Sequence, residues 1–218
     1  MSTRRPRRAL PLAAALEAHG AELEACRRCG HEPQVLPIIS EARDPRAVLI
    51  GQAPGKTEIE TRRPFAGRAG RTLFQWLARA GIDERCARES IYIAAITRCY
   101  PGPSPSGRGD RVPSPRERAL CGGWLANELT IIRPSLLIPV GRLAIDRFFG
   151  PVPLDHVVGT PREVDHEGGR STAIALPHPS GASSWVHQSG HRALLDEALA
   201  HLARALAALG ITSARSAA

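Results

Sequence analysis

The sequence predicts an α/β layer fold built on a parallel sheet, and three observations carry that reading. Four short runs, residues 47–50, 91–96, 135–140 and 173–176, are almost continuously apolar or β-branched. That is the pattern of strands buried on both faces. Helical patterns lie between and after them, so strand and helix alternate along the chain. Finally, each run leads directly into a motif: Gly51 after the first, Arg98 and Cys99 after the second, Gly141 after the third, His178 after the fourth. Ligands of open parallel sheets bind outside the carboxyl ends of the strands. Four motifs on that edge describe a single site.

The elements follow in order. Arg4, Arg5, Arg7 and Arg8 precede an apolar stretch at 10–16, which faintly resembles a secretion leader. Pro11 interrupts the stretch, Glu17, Glu22 and Glu24 follow at once, and Leu12, Leu16 and Leu23 fall near helical spacing. A basic arm (1–9) followed by an amphipathic helix is therefore expected. A helix over 69–80 carries Leu73, Trp76, Leu77 and Ala80 on one face. Another, over 115–132, carries Leu120, Trp124, Leu125 and Leu129. A short helix is expected over 141–149, and a long Ala/Leu helix over 191–209. The Gly/Pro/Ser tract 101–115 reads as a long loop, because Cys99 and Cys121 flank it. There is no internal repeat. One domain spanning 10–210 is expected, with 211–218 as a flexible tail.

Composition bounds the function. A length of 218 residues suits one domain, and 43 % hydrophobic with 23 % charged residues is ordinary for a chain with a packed core. Disorder, collagen and coiled coil are excluded as global descriptions. No apolar run approaches the ~18–20 residues of a membrane span. The net charge is +8, and among 29 basic residues only Lys56 is a lysine. A GC-rich genome explains arginine in place of lysine but not the surplus of positive charge. That surplus points to a polyanionic partner, most often nucleic acid.

Five cysteines, Cys26, Cys29, Cys86, Cys99 and Cys121, argue against a disulfide framework in a chain without a convincing leader. Cys26-Arg27-Arg28-Cys29 follows a helix, whereas a thioredoxin-type pair follows a strand and opens a helix. A metal or cluster needs two further ligands, for which Cys99 and Cys121 are the candidates. Cys86, set among acids and bases, reads as an ordinary thiol. Four cysteines suit tetrahedral zinc or a cubane iron–sulfur cluster, and the spacing leaves both open.

Three motifs now combine. Gly51-Gln52-Ala53-Pro54-Gly55, then Arg63-Pro64-Phe65-Ala66-Gly67-Arg68-Ala69-Gly70, then Leu176-Pro177-His178-Pro179-Ser180 resemble the uracil-DNA glycosylase superfamily, in particular its iron–sulfur branch, family 4. The order of Cys26, Cys29, Cys99 and Cys121 is similar to that branch too, and the resemblance covers roughly residues 20–205. It implies a three-layer αβα sandwich with a central four-stranded parallel sheet. It also implies a [4Fe-4S] cluster rather than zinc, uracil-containing DNA as partner, and a monomeric cytoplasmic hydrolase that leaves an abasic site. Gln52 stands where the family carries Glu, Ile59 where it often has Asp, and Ala95 where an Asn usually reads the uracil edge. The 101–115 loop is longer than usual and lacks the histidine by which one branch is trapped covalently on DNA. These departures keep a second reading in play, a non-catalytic or differently specific cluster-bearing protein that binds DNA and senses damage.

The chemistry assigns roles. An enzyme acting on a base must flip it from the stack into a pocket. Breaking the glycosidic bond of deoxyuridine builds positive charge on the sugar and negative charge on uracil, so a donor at O2 is the main requirement. His178 is that donor, and Gln52 orients a water without acting as a base. Gly51, Ala53, Pro54 and Gly55 form the turn that approaches the base, and Phe65 is the stacking platform. Ala95 sits where the uracil edge is read, with Arg98 or Tyr100 as substitutes for the missing Asn. Glu58 and Glu60 are candidates to approach the sugar. Ser180 is expected on a phosphate, with Arg68, Arg71, Arg108, Arg111 and Arg192 lining the groove. Residues 181–184 are too small to fill the gap left by a flipped base, which makes Trp185 the candidate wedge.

Overall fold

The structure, a computed structural model, describes residues 10–31, 35–107, 109–180 and 185–213. The expected basic arm, Arg108 and residues 181–184 lie outside the described residues. The strands are β1 (Ala47–Gly51), β2 (Ile91–Ala95), β3 (Leu136–Pro139), β4 (Arg162–His166) and β5 (Gly169–Ala173), in one sheet ordered β2-β1-β3-β5-β4. The first four in that order are parallel, with Ala47 level with Ile91 on one side and Leu136 on the other. β4 pairs antiparallel with β5 as an edge hairpin. It escapes the sequence pattern because its residues, Arg-Glu-Val-Asp-His, alternate and leave one face to solvent. The expected fourth run is the continuation of β5. Ile174 N–H bonds to Leu137 O and Leu176 N–H to Pro139 O, each at 2.9 Å, so this strand delivers His178 to the same edge as Gly51.

Helices cover both faces. They are α1 (Leu12–Glu24), α2 (Lys56–Thr61), α3 (Arg68–Arg79), α4 (Glu84–Ser90), α5 (Pro115–Ile132), α6 (Arg142–Phe149) and α7 (His191–Ala208). Strand residues alternate between two cores. Leu49, Ile93 and Ile138 meet α3 and α7, while Val48, Ile50, Tyr92 and Leu137 meet α1 and α5. The expected three-layer sandwich is therefore present, with β4 added to its four parallel strands. α5 begins where Ser114 accepts the Glu117 N–H at 3.2 Å and Glu117 accepts the Ser114 N–H at 2.7 Å, with Pro115 in the first turn.

One polar knot sits inside. Glu128 on α5 is fully buried and takes Tyr92 Oη at 2.9 Å, Arg98 Nη1 at 3.2 Å and His19 Nε2 at 3.3 Å. A buried carboxylate is tolerable only with such partners. Of the expected tail, residues 211 and 213 are tied to the fold. Ile211 is buried, and Ser213 Oγ accepts the Asp83 N–H at 2.6 Å. Residues 214–218 lie outside the described residues. Among the described residues no helix is long and apolar enough to cross a membrane.

Candidate active site

At the carboxyl edge of β1 and β2 lies a cavity of about 450 Å³, the size of a small-molecule site. Its first wall is the turn Gly51-Gln52-Ala53-Pro54-Gly55. The turn is clamped by Ile96 N–H on Gly51 O at 3.0 Å and Thr97 N–H on Gln52 O at 3.2 Å. Phe65, Ala95, His178 and Ser180 complete the expected set around the same space. Residues more than a hundred positions apart thus meet because three parallel strands end together.

Phe65 lies against Gly51, and a Cβ on that glycine would come within 2.9 Å of the ring. Its backbone is left-handed at φ 51°, an uncommon conformation for a bulky residue. Two groups hold it there. Arg88, almost wholly buried on α4, donates to Pro64 O at 2.7 Å and Phe65 O at 3.4 Å. Gly70 allows the Phe65 carbonyl to approach so closely that a Cβ would sit 1.7 Å from the oxygen. Arg88 carries no signal in sequence, since its role depends on a loop 23 residues away.

His178 is held at its Nδ1. That nitrogen accepts the Ser180 backbone N–H at 3.2 Å and lies 2.9 Å from Ser180 Oγ. A backbone N–H can only donate, so Nδ1 is the acceptor and the neutral ring carries its proton on Nε2. Burial lowers the imidazole pKa and favours that neutral form. Gly141, at φ 83°, leaves the room the ring needs, since a Cβ there would fall 2.9 Å from His178 Cδ2. The Ser180 hydroxyl, expected on a phosphate, is engaged by the imidazole instead.

The acids sort differently from expectation. Glu58 reaches the cavity, but its carboxylate accepts Gly55 N–H at 2.9 Å and Gly67 N–H at 3.0 Å. It ties the first turn to the Phe65 loop and does not face a sugar. Glu60 is exposed and does not line the cavity. Asp110, which the sequence does not mark, lines the cavity from the 101–115 loop. Of the expected readers of the base edge, Arg98 borders the cavity but its guanidinium is bound to Glu128 in the core. Tyr100 stands outside the cavity lining, where burial, then a hydrogen bond with Asp110, raises its phenol pKa. Arg68 and Arg111 border the cavity, while Arg71 and Arg192 lie on exposed helix surface away from it. Trp185, the expected wedge, stacks on His191 with ring centroids 4.1 Å apart.

Cys26 and Cys29 past α1, Cys99 past β2 and Cys121 on α5 lie near enough for the charge of one to act on another. Burial, then the charge of Cys121, Cys29 and Cys26, pushes the Cys99 thiol up to about 12. Burial likewise carries Cys121 to about 11, although it accepts the Arg98 N–H at 3.3 Å. Leu23, Trp124 and Ile39 give the region an apolar wall. Cys99 and Cys121 stay protonated unless positive charge among the sulfurs stabilises their thiolates, and bound iron or zinc would supply that. Among the described residues no three His, Cys, Asp or Glu groups close on one point as a single ion would need. Cys86 lies apart on α4, its Sγ 4.0 Å from Ser90 Oγ.

Comparison with known proteins agrees with this geometry. A family model described as the uracil DNA glycosylase superfamily matches residues 39–215, a span that begins after Cys26 and Cys29. A type-4 uracil-DNA glycosylase of Thermotoga maritima is 32 % identical over 169 residues, covering 76 % of this chain and 81 % of the relative. One from Archaeoglobus fulgidus is 31 % identical over 166 residues, covering 73 % and 78 %. With three motif loops converging on one cavity and the match running through all of them, the chain belongs to the uracil DNA glycosylase superfamily.

Proposed function

We propose that the protein is a DNA repair glycosylase that flips uracil from DNA and hydrolyses its N-glycosidic bond, leaving an abasic site. The observation that supports it most is His178, delivered from the far end of the sheet to the cavity of Gly51–Gly55 and Phe65 with its Nε2–H free of the Ser180 contact. The flipped uracil stacks on Phe65 and lies against the Gly51 backbone. Nε2–H donates to uracil O2 as negative charge develops there, an interaction stronger in the transition state than in the ground state. Gln52 places the water. Ala95 presents only a methyl where the family's Asn would read the base, so backbone groups of the cavity wall take over that task. Arg68 at the cavity border meets the DNA phosphates.

Cys26, Cys29, Cys99 and Cys121 would hold a [4Fe-4S] cluster, which stabilises their thiolates and ties α1, the end of β2 and α5 together. The chain works as a cytoplasmic monomer. Incubation of purified protein with a uracil-containing oligonucleotide, followed by alkali, tests the activity. Strand scission at uracil, and none at thymine in the same context, is expected. Intact strands with retained DNA binding would favour the damage-sensing reading.

A further inference from the structure

At position 52 the amide of Gln52 cannot take a proton from water near neutral pH. Two carboxylates line the cavity, Glu58 and Asp110, and Glu58 is already committed to the Gly55 and Gly67 N–H groups. Asp110 is placed differently. The residue itself is exposed, but its Oδ2 lies 2.8 Å from where a Cβ on Gly55 would stand, so the carboxylate reaches over the turn that carries Gln52. The loop is folded around this residue. Pro103 and Asp110 form an antiparallel bridge, flanked by Ser104 N–H to Gly109 O at 2.9 Å and Arg111 N–H to Gly102 O at 3.0 Å. Arg111 then grips Glu117 with both terminal nitrogens, at 2.6 and 2.7 Å, which fixes the return of the loop to α5.

We propose that Asp110 is the catalytic carboxylate that activates the hydrolytic water, supplied by the 101–115 loop in place of the acid that position 52 lacks. This rests on the glycosylase reading. As the bond between C1′ and uracil N1 breaks, its electron pair leaves with uracil, whose O2 accepts the His178 Nε2–H. The water oxygen bonds to C1′, and Asp110 takes the proton that water gives up. The uracil anion is protonated from solvent, and Asp110 returns its proton to solvent. One water is consumed, and the products are free uracil and a sugar with hydroxyl at C1′.

Single-turnover release of uracil from an oligonucleotide tests the proposal. Asp110→Asn should slow the wild-type rate by about 10²–10⁴-fold, the range for a general base, while DNA affinity is kept. Tyr100→Phe removes the phenol's hydrogen bond to Asp110 but leaves the carboxylate, and should keep most of the rate. Adding Gln52→Glu to Asp110→Asn should recover activity, because it restores an acid to the same turn. An Asp110→Asn protein as fast as wild type would overturn the proposal. So would a Tyr100→Phe protein as slow as Asp110→Asn, which would reduce Asp110 to a loop anchor. Wild-type protein that releases no uracil would instead overturn the glycosylase reading, and the role of Asp110 with it.

Discussion

His178 has one ring nitrogen engaged and the other left for a ligand. Because Nδ1 accepts a backbone N–H, protonation there would set two donors face to face. Burial already lowers the pKa from 6.5. In the unfolded chain the ring protonates near 6.5, so the unfolded state binds more protons as pH falls and stability is lost below that pH. His178→Gln should therefore lose less melting temperature than wild type between about pH 7 and about pH 5 in parallel thermal melts. An equal or larger loss would mean the imidazole is not held neutral. Phe65→Ala should weaken binding of uracil-DNA by about 1–3 kcal/mol, as base stacking on an aromatic ring is worth, in a fluorescence anisotropy titration. Both residues were legible in sequence, because each sits in a short turn whose composition announces it. Asp110 was not, lying in a Gly/Pro/Ser tract where nothing local marks an exposed acid whose carboxylate borders the cavity. Arg98 was misread for a related reason. A charge at a strand end turns to the site or to the core according to its neighbour, and Glu128 lies 30 residues away.

At the scale of elements, Glu58 ties the first turn to the Phe65 loop. Glu58→Gln keeps one acceptor but turns a donor toward the second N–H, of Gly55 or Gly67. It should cost about 1–3 kcal/mol in urea unfolding, with a fall in kcat as the first turn and the Phe65 loop come apart. Unchanged stability would show that the clamp is ornamental. Gly70→Ala should be worse, since its Cβ meets a backbone carbonyl that no rotamer can move. The expected helices over 115–132 and 69–80 match α5 and α3 closely, because each buries one face at helical spacing, apolar on α3 and interrupted by Glu117 and Glu128 on α5. The short helices α2 and α4 carry no such stripe. α2 owes its start to the contact of Glu58 with the Gly55 N–H, and α4 to Asp83, whose carboxylate accepts the Cys86 N–H at 2.8 Å.

For the molecule as a whole, a net charge of +8 makes DNA binding a salt-dependent event. Neutralising about four phosphates predicts a fall in affinity of about a hundredfold between roughly 50 and 200 mM salt, and a flat profile would remove electrostatics from the account. Cys26→Ala and Cys121→Ala should give colourless, poorly soluble protein, whereas Cys86→Ala should stay brown; iron analysis and visible absorption check this. The layered architecture was legible at this scale because buried parallel strands are written as apolar runs. The gathering of four cysteines from three segments was legible only through motif order, since no local pattern states which thiols meet. The central claim is that His178 stabilises departing uracil as the bond breaks. Single-turnover release of uracil at saturating enzyme tests it most directly, as it separates chemistry from binding and product release. His178→Ala should be slower than wild type by about 10²–10³-fold, and Gln52→Ala by only about tenfold, since placing a water contributes less than neutralising a leaving group. A dead Gln52→Ala protein beside a nearly normal His178→Ala protein would contradict the account.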